Sequence, residues 1–277
     1  MDRRRSDDRA RARHGVPVVT YTPAEMMTVA AARALANDDI CFVGIGLPSA
    51  ACNLARLTHA PRLRLLYESG TLDTKPRVLP LSIGDGELCE TALCTVPVVE
   101  MFQYWLQGGR VTVGFLGGAQ VDRYGNLNST VVGAYRRPKV RLPGSGGATE
   151  IATHCHRIFI VMRHGVRAFV ETLDFLTSMG HGRTGTERRA LGVRTEGPAL
   201  IVTDLCTMRP HPDTREFEVA SLHPGVTAAD VRGRTAWAVR FRGDAGETPP
   251  PRGEELEALR DLQDRTRRAH GGSHVDE

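Results

Sequence analysis

The stretch Leu63-Arg64-Leu65-Leu66-Tyr67-Glu68-Ser69-Gly70 constrains the fold of this chain more than any other. A short apolar run closed by a glycine turn reads as a buried strand of a parallel sheet. Open α/β sheets hold their ligands beyond the carboxyl ends of such strands. Glu68 is then expected at the mouth of a cleft, with its neighbour Tyr67 limiting water. Two readings stay open on these eight residues alone: a carboxylate nucleophile, or a glutamate in a surface turn.

The same alternation of strand, glycine turn and helix runs through the chain. Thr22-Pro23-Ala24-Glu25 opens a helix, with Thr22 as N-cap, Pro23 at the first position and Glu25 completing a capping box. It runs to about Leu35 and breaks at Asn37-Asp38-Asp39. Ile40–Val43 is the first strand, followed by the turn Gly44-Ile45-Gly46-Leu47-Pro48-Ser49 and an Ala-rich helix to about Leu57. A glycine turn feeding a helix offers free N–H groups to an anion or to a closely approaching ligand. It lacks the spacing of a dinucleotide fingerprint and the acidic residue expected after the next strand, so nicotinamide binding is not the preferred reading. Thr71–Asp85, with Pro76, Pro80 and Gly84, is too irregular for regular structure and is expected to cover the site. Residues 87–107 read as helix in two pieces around Pro97, with Phe102, Tyr104 and Trp105 on an apolar face.

Further strands are expected at Arg110–Phe115, Arg157–Met162, Ala199–Asp204 and Glu216–Leu222, with a turn of the Asp/Gly/Asn kind over Val121–Ser129. Gly144-Ser145-Gly146-Gly147 is a second glycine nest, closely flanked by strands. Successive glycines can present backbone N–H groups to an anion or a developing oxyanion. Thr227 caps a later helix, and Glu254–Arg268 is a charged amphipathic helix expected on the surface or on a partner. These readings divide the chain into a disordered tail at 1–16, one α/β domain over 17–243, and a C-terminal helix and tail over 244–277.

Composition narrows the function classes. The chain has 277 residues, a formal net charge of +4 and a pI of about 8.9, which invites a nucleic-acid reading. Much of the arginine excess lies in the termini, Lys75 and Lys139 are the only lysines, and no aromatic residues interleave with the basic ones as a base-stacking platform requires. No nucleic-acid partner is expected. Some arginines, Arg136 and Arg137 with Lys139 among them, stand ahead of the glycine nest. They are placed either to meet a phosphate or carboxylate or as solvated loop charges. The six scattered cysteines read as reduced, buried small residues. No apolar run approaches the about 20 residues needed to cross a bilayer, and the Arg-rich start also carries Asp2, Asp7 and Asp8 with no apolar segment behind it. A cytoplasmic protein without a membrane partner is the expectation. His154 and His156 share one face of an expected strand but find no third ligand nearby, so no metal is expected.

Five segments, in order and spacing, resemble the β subunit of class I CoA-transferases, most nearly the glutaconate CoA-transferase branch. They are Val43-Gly44-Ile45-Gly46-Leu47-Pro48, Tyr67-Glu68-Ser69-Gly70, Gly117-Gly118-Ala119-Gln120-Val121-Asp122, Tyr124-Gly125-Asn126-Leu127-Asn128-Ser129-Thr130 and Gly144-Ser145-Gly146-Gly147-Ala148. The resemblance spans about Tyr21 to Phe241. It implies an open, mostly parallel sheet with helices on both faces, and an α subunit of related fold in a hetero-oligomer of α2β2 or larger. It implies coenzyme A thioester as a substrate, with no permanently bound cofactor. It also implies that Glu68 attacks the thioester, giving a mixed anhydride and then a glutamyl–CoA thioester. Backbone amides of Gly144, Gly146, Gly147 and Ala148, and of the Gly44–Gly46 turn, are the expected oxyanion and CoA contacts. Ser69, Gln120, Asn126 and Asn128 are the expected substrate contacts. Two rival readings remain: a subunit of a CoA-dependent ring-opening hydrolase of the same fold, and a non-catalytic ligand sensor.

Overall fold

The computed structural model describes residues 20–271, so the tail expected over 1–16 and residues 272–277 lie outside the described residues. Helix α1 (Pro23–Arg33) begins with the reciprocal cap its sequence predicts: the Glu25 amide donates to Thr22 Oγ1 and the Thr22 amide to Glu25 Oε2. Next come β1 (Ile40–Val43), α2 (Leu47–Leu57), β2 (Arg64–Tyr67), β3 (Thr71–Leu72), α3 (Gly86–Glu90), β4 (Cys94–Thr95) and α4 (Val98–Glu100). A π-helical turn, Met101–Leu106, continues α4. β5 (Val113–Leu116) precedes two small hairpins, β6 (Gln120–Val121) with β7 (Leu127–Asn128), and β8 (Val131–Ala134) with β9 (Arg137–Arg141). The chain ends through α5 (Ala148–His154), β10 (Arg157–Val161), α6 (Glu187–Ala190), β11 (Gly197–Val202), β12 (Cys206–Pro210), β13 (Phe217–Leu222), α7 (Ala228–Gly233), β14 (Arg240–Glu247) and α8 (Gly253–Ala269).

Ten strands form one sheet in the order β14-β13-β12-β11-β10-β5-β1-β2-β3-β4. The central five, β2, β1, β5, β10 and β11, are parallel. From β1 the chain steps outward to β2, then returns to place β5 on the other side of β1. The order therefore reverses between β1 and β5, and the carboxyl ends of the strands there diverge into a crevice.

Strand periodicity assigns the core to two faces. Cys41, Val43, Leu65 and Tyr67 pack with α1, α2 and α8, where Met26, Leu54, Leu259 and Leu262 are buried. Phe42 and Leu66 point the other way, to Met101, Ile151 and Val231. Helices on both faces of a mostly parallel sheet are the architecture the resemblance implies.

Several expectations are corrected. The segment after Glu68 does not cover it: β3 turns antiparallel on β2, and the Thr74 amide donates to Leu65 O, so the chain heads back toward the amino end of the sheet. There Arg56 Nη2 donates to Pro76 O and the Leu79 amide to Thr266 Oγ1, pinning the segment to α2 and α8. Tyr67 is fully buried on the α2 side with its hydroxyl 2.7 Å from Ser49 Oγ, and it shields nothing at Glu68. Helix α8 takes the surface alternative of its two expected places, lying on α1 and α2 of its own chain and tied by Arg33–Glu255 and Arg260–Glu25 ion pairs. The sheet continues to Glu247 through β14.

Candidate active site

The Glu-Ser-Gly corner is a fixed turn. The Gly70 amide donates to Tyr67 O at 2.9 Å, and Gly70 O accepts from the Val96 amide at 2.8 Å. Gly70 has φ +106°, and a Cβ there would stand 2.0 Å from Val96 O, so only glycine fits. This geometry points Glu68 off the strand end, half-buried, on the face of Leu66 and away from Tyr67.

Two glycine turns neighbour the Glu68 corner. By the parallel register Val43 pairs with Tyr67, so Gly44 lies beside Glu68. The turn then reverses at Gly46 (φ +78°), the N-cap of α2. From the other side comes the nest at 144–147. A Cβ on Gly147 would stand 3.2 Å from Glu68 Oε1 and 2.8 Å from Phe102 Cζ. Glu68, the nest and the Phe102 ring therefore meet at one point, although 79 positions separate Glu68 from Gly147.

The amides of the nest do not all face the same task. The Gly144 amide donates to Ser129 O and that of Ala148 to Ser145 O, which corrects the expectation that these two serve as free donors. Among the described residues no acceptor engages the N–H of Gly146 or Gly147. Gly146 has φ +47° and Gly144 φ +99°, left-handed conformations that glycine adopts without strain. Ser69 Oγ is buried with no hydrogen-bond partner among the described residues. An unpartnered buried hydroxyl costs roughly 1–3 kcal/mol, so this one, adjacent to Glu68, has its bonding capacity open.

Asn126 and Asn128 are corrected as substrate contacts. Asn126 Nδ2 donates to Asp122 Oδ2 (2.8 Å) and Gly182 O (2.9 Å). Asn128 Nδ2 donates to Gln120 Oε1 and Val131 O, both at 2.7 Å. Each side-chain amide has two N–H groups, so neither has a donor left. Gln120 also accepts from the Asp174 amide and donates to Asp174 Oδ2, with one N–H remaining. These amides brace the hairpins that carry the nest. Beside Asn128, the Ser129 amide donates to Thr177 Oγ1 (2.9 Å), and Ser129 Oγ donates to Gly144 O (2.8 Å). Burial pushes the Asp122 carboxyl above its ordinary range, against the pull of the Asn126 and Tyr124 donors.

Other candidates belong to the scaffold. His181 is buried, its Nε2 2.8 Å from Pro198 O, and burial pushes it down to about 4. The loop around it is anchored by Arg188, which donates to Ala152 O, Gly180 O and Thr195 O. His154 ends α5 rather than entering a strand, and Cys155 next to it is fully buried. Among the described residues no group of three or more His, Cys, Asp or Glu side chains is placed to hold a metal ion. A cleft of about 760 Å³ is lined by Asp122, Arg123, Glu171, Asp174 and Arg183 among others, and Glu68 is not part of its wall. Arg123 there is paired with Glu171 in the wall and with Glu216 outside it. No helix among the described residues is long and apolar enough to cross a membrane.

Sequence reasoning missed Phe102 as a member of the site. Its place on an apolar helical face is legible, but its contact with residue 147 is long-range, and it lies in the π-helical turn, a distortion often found at functional sites. Ser129 and Thr177 were likewise invisible as the anchors of the nest.

The coenzyme A transferase family model matches residues 24–233. The chain is 58% identical over 251 residues to one subunit of the 3-oxoadipate CoA-transferase of Pseudomonas knackmussii, covering 91% of this chain and 96% of the relative. The crystal structure of glutaconate CoA-transferase from Acidaminococcus fermentans superposes with a TM-score of 0.84 at 32% identity, covering 93% of this chain and 98% of that one. One subunit of a cholesterol ring-cleaving hydrolase of Rhodococcus jostii is 30% identical over 79% of this chain and 82% of its own length. The family match over most of the chain, with these relatives covering nearly its whole length, makes this chain a β-type member of the coenzyme A transferase family.

Proposed function

We propose that this chain carries the catalytic glutamate of a two-subunit CoA-transferase that moves CoA from an acyl-CoA to a free dicarboxylic acid of the 3-oxoadipate type. The observation that carries the reading is the meeting of Glu68 Oε1 with the Gly147 backbone, beside unengaged amides and an aromatic ring. The choice of acid rests on the 58% identity to one chain of a 3-oxoadipate CoA-transferase. The α subunit of related fold is inferred from the relatives, each of which is named as one of the subunits of its enzyme, and the assembly as α2β2 or larger.

The chemistry balances without an external proton. A Glu68 carboxylate oxygen attacks the thioester carbonyl, the C–S bond breaks, and CoA thiolate leaves a mixed acyl–glutamyl anhydride. The thiolate attacks the glutamyl carbonyl, giving a glutamyl–CoA thioester and releasing the first acid as carboxylate. The acceptor carboxylate then attacks that thioester, and the thiolate returns to the acceptor's acyl carbon, freeing Glu68. Each addition places negative charge on a carbonyl oxygen, and preorganised N–H donors are the strongest aid to such a step. The Gly146 and Gly147 amides, with the Gly44–Gly46 turn opposite, supply this role. Ser69 Oγ and the remaining N–H of Gln120 serve as substrate contacts. Phe102 keeps water from the anhydride.

The test is intact-mass analysis of the two-subunit enzyme after incubation with 3-oxoadipyl-CoA or succinyl-CoA, borohydride trapping and peptide mapping. The expected result is a CoA adduct, or its reduced product, on the Glu68 peptide, absent in Glu68→Ala. Release of CoA that needs no acceptor acid, with no modified Glu68 peptide, identifies a hydrolase instead. Ligand binding unchanged in Glu68→Ala, with no turnover in either protein, identifies a sensor.

A further inference from the structure

The β8–β9 hairpin, exposed along β9, carries a concentration of positive charge. Arg136 at its turn and Arg137, Lys139 and Arg141 on β9 are all exposed. All four lie within six residues of chain, and a register shift between Val132 and Gly133 leaves Lys139 at a bulge, so Arg137 and Arg141 face opposite sides of the hairpin and the cations surround it. The ion pairs among the described residues lie elsewhere, and none engages these four. Like charges so close in the chain repel one another. The cluster is nevertheless held in place: β9 pairs with β8 from Arg137↔Ala134 to Arg141↔Val131, with one register shift between them. Arg141 is further fixed over the Tyr135 ring, which itself stacks on Phe175.

The position of this cluster matters. Beyond Arg141 the chain stays pinned to the neighbouring strand, the Leu142 amide donating to Thr130 O and the Gly144 amide to Ser129 O. It then reaches Gly147 against Glu68. Six residues from Arg141 to Gly147 span at most about 20 Å. The cation cluster is thus the continuation, away from the nest, of the segment that delivers it to the carboxylate. A ligand whose reacting carbonyl sits at Glu68 and whose anionic groups sit at the far end of an extended arm matches this layout. An acyl-CoA is such a molecule, with a thioester at one end and a pyrophosphate and a ribose 3′-phosphate at the other.

We propose that Arg137, Lys139 and Arg141, with Arg136 at the turn, form the subsite for the phosphates of the CoA nucleotide. The inference rests on the reading that Glu68 receives an acyl-CoA. Arginine suits phosphate oxygens through its planar fork of donors, and salt screens exposed charge pairs, so affinity should fall as ionic strength rises.

The test uses the assembled two-subunit enzyme with Arg137, Lys139 and Arg141 all changed to Gln. The expected result is a tenfold or greater rise in KM for acyl-CoA, with kcat and the KM for the acceptor acid unchanged. The same acyl group on pantetheine, which lacks every phosphate, is expected to react equally with wild type and variant. In the wild type alone, direct titration should give weaker binding of dephospho-CoA than of CoA, and a dissociation constant for CoA that rises steeply with salt. An unchanged KM for acyl-CoA, an equal loss with the pantetheine thioester, or salt-independent CoA binding overturns the proposal. Failure of the variant subunits to co-purify also overturns it and makes the hairpin a contact to the partner chain. Salt-dependent CoA binding without acid-dependent transfer leaves the hairpin subsite standing and removes the transferase reading.

Discussion

Replacing Gly147 by alanine isolates the contact between the nest and the nucleophile. The position has φ −79° and ψ −2°, open to any residue, so no backbone strain enters. Alanine is a poorer N-cap than glycine by roughly 0.5–1 kcal/mol. Fewer unfolded conformations return about 0.4–1 kcal/mol. These two contributions nearly cancel, leaving the crowding of the half-buried Phe102 ring, an overpacking cost of about 1–3 kcal/mol at most. The added methyl carbon lies 2.8 and 3.0 Å from two Phe102 ring atoms and 3.2 Å from Glu68 Oε1. Ordinary carbon contacts are about 3.5–4.0 Å, so the ring and the carboxylate must both give way by a few tenths of an ångström up to about 1 Å. A misplacement of that order at a reacting group costs on the order of 10²-fold in rate. Steady-state kinetics of CoA transfer should show kcat and kcat/KM lowered together, with KM for either substrate little changed, since the lost geometry acts on the chemical step. Thermal unfolding should stay cooperative, with a midpoint lowered by no more than about 10 °C. Adding Phe102→Ala removes the two ring contacts and leaves the one to Glu68, so partial recovery is expected in the double variant. Full activity in Gly147→Ala, or a loss matched by collapse of the fold, refutes the proximity argument.

Phe102→Ala alone should raise the share of acyl-CoA hydrolysed without acceptor acid, measured as CoA release with the acid omitted, because water gains access to the anhydride; an unchanged ratio of hydrolysis to transfer removes the shielding role. Acid should loosen α8. Burial raises the Glu255 carboxyl, but the bidentate Arg33 contact (2.6 and 2.8 Å) and the Arg252 side chain and amide outweigh it and hold the group at about 2 against an ordinary 4.5. A depressed folded-state pKa means stability that is present above pH 4.5 and lost as pH falls toward 2, on the order of 3 kcal/mol. Chemical denaturation from pH 6 to 2 should show that decline in wild type and a smaller one in Glu255→Gln; identical slopes refute it.

How much of this was legible beforehand follows the range of the interactions involved. The Thr22–Glu25 box, the β1 and β2 strands and the Gly70 corner are set by residues within a few positions of one another, and periodicity and turn chemistry reach them directly. The positive φ at Gly70 is an example: the sequence marks a turn, and the strand-to-turn register explains why only glycine fits under Val96. The nest could be named from its glycines but not sorted, because which amides stay free depends on Ser129 and Thr177, residues brought in by hairpins of two to five residues a strand that periodicity cannot resolve. Asn126 and Asn128 misled for the same reason. An asparagine in a turn reads as an available donor until its partners are counted, and here Asp122, Gln120, Val131 and Gly182 take every N–H. Their conversion from ligands to braces has a consequence for the site itself. A nest of glycines is soft on its own, since glycine restricts the backbone least. Two fully engaged asparagines and a serine clamped on both sides of Gly144 supply the stiffness that lets the Gly146 and Gly147 amides hold their aim at Glu68, which is the condition for donors to stabilise a developing oxyanion without reorganising.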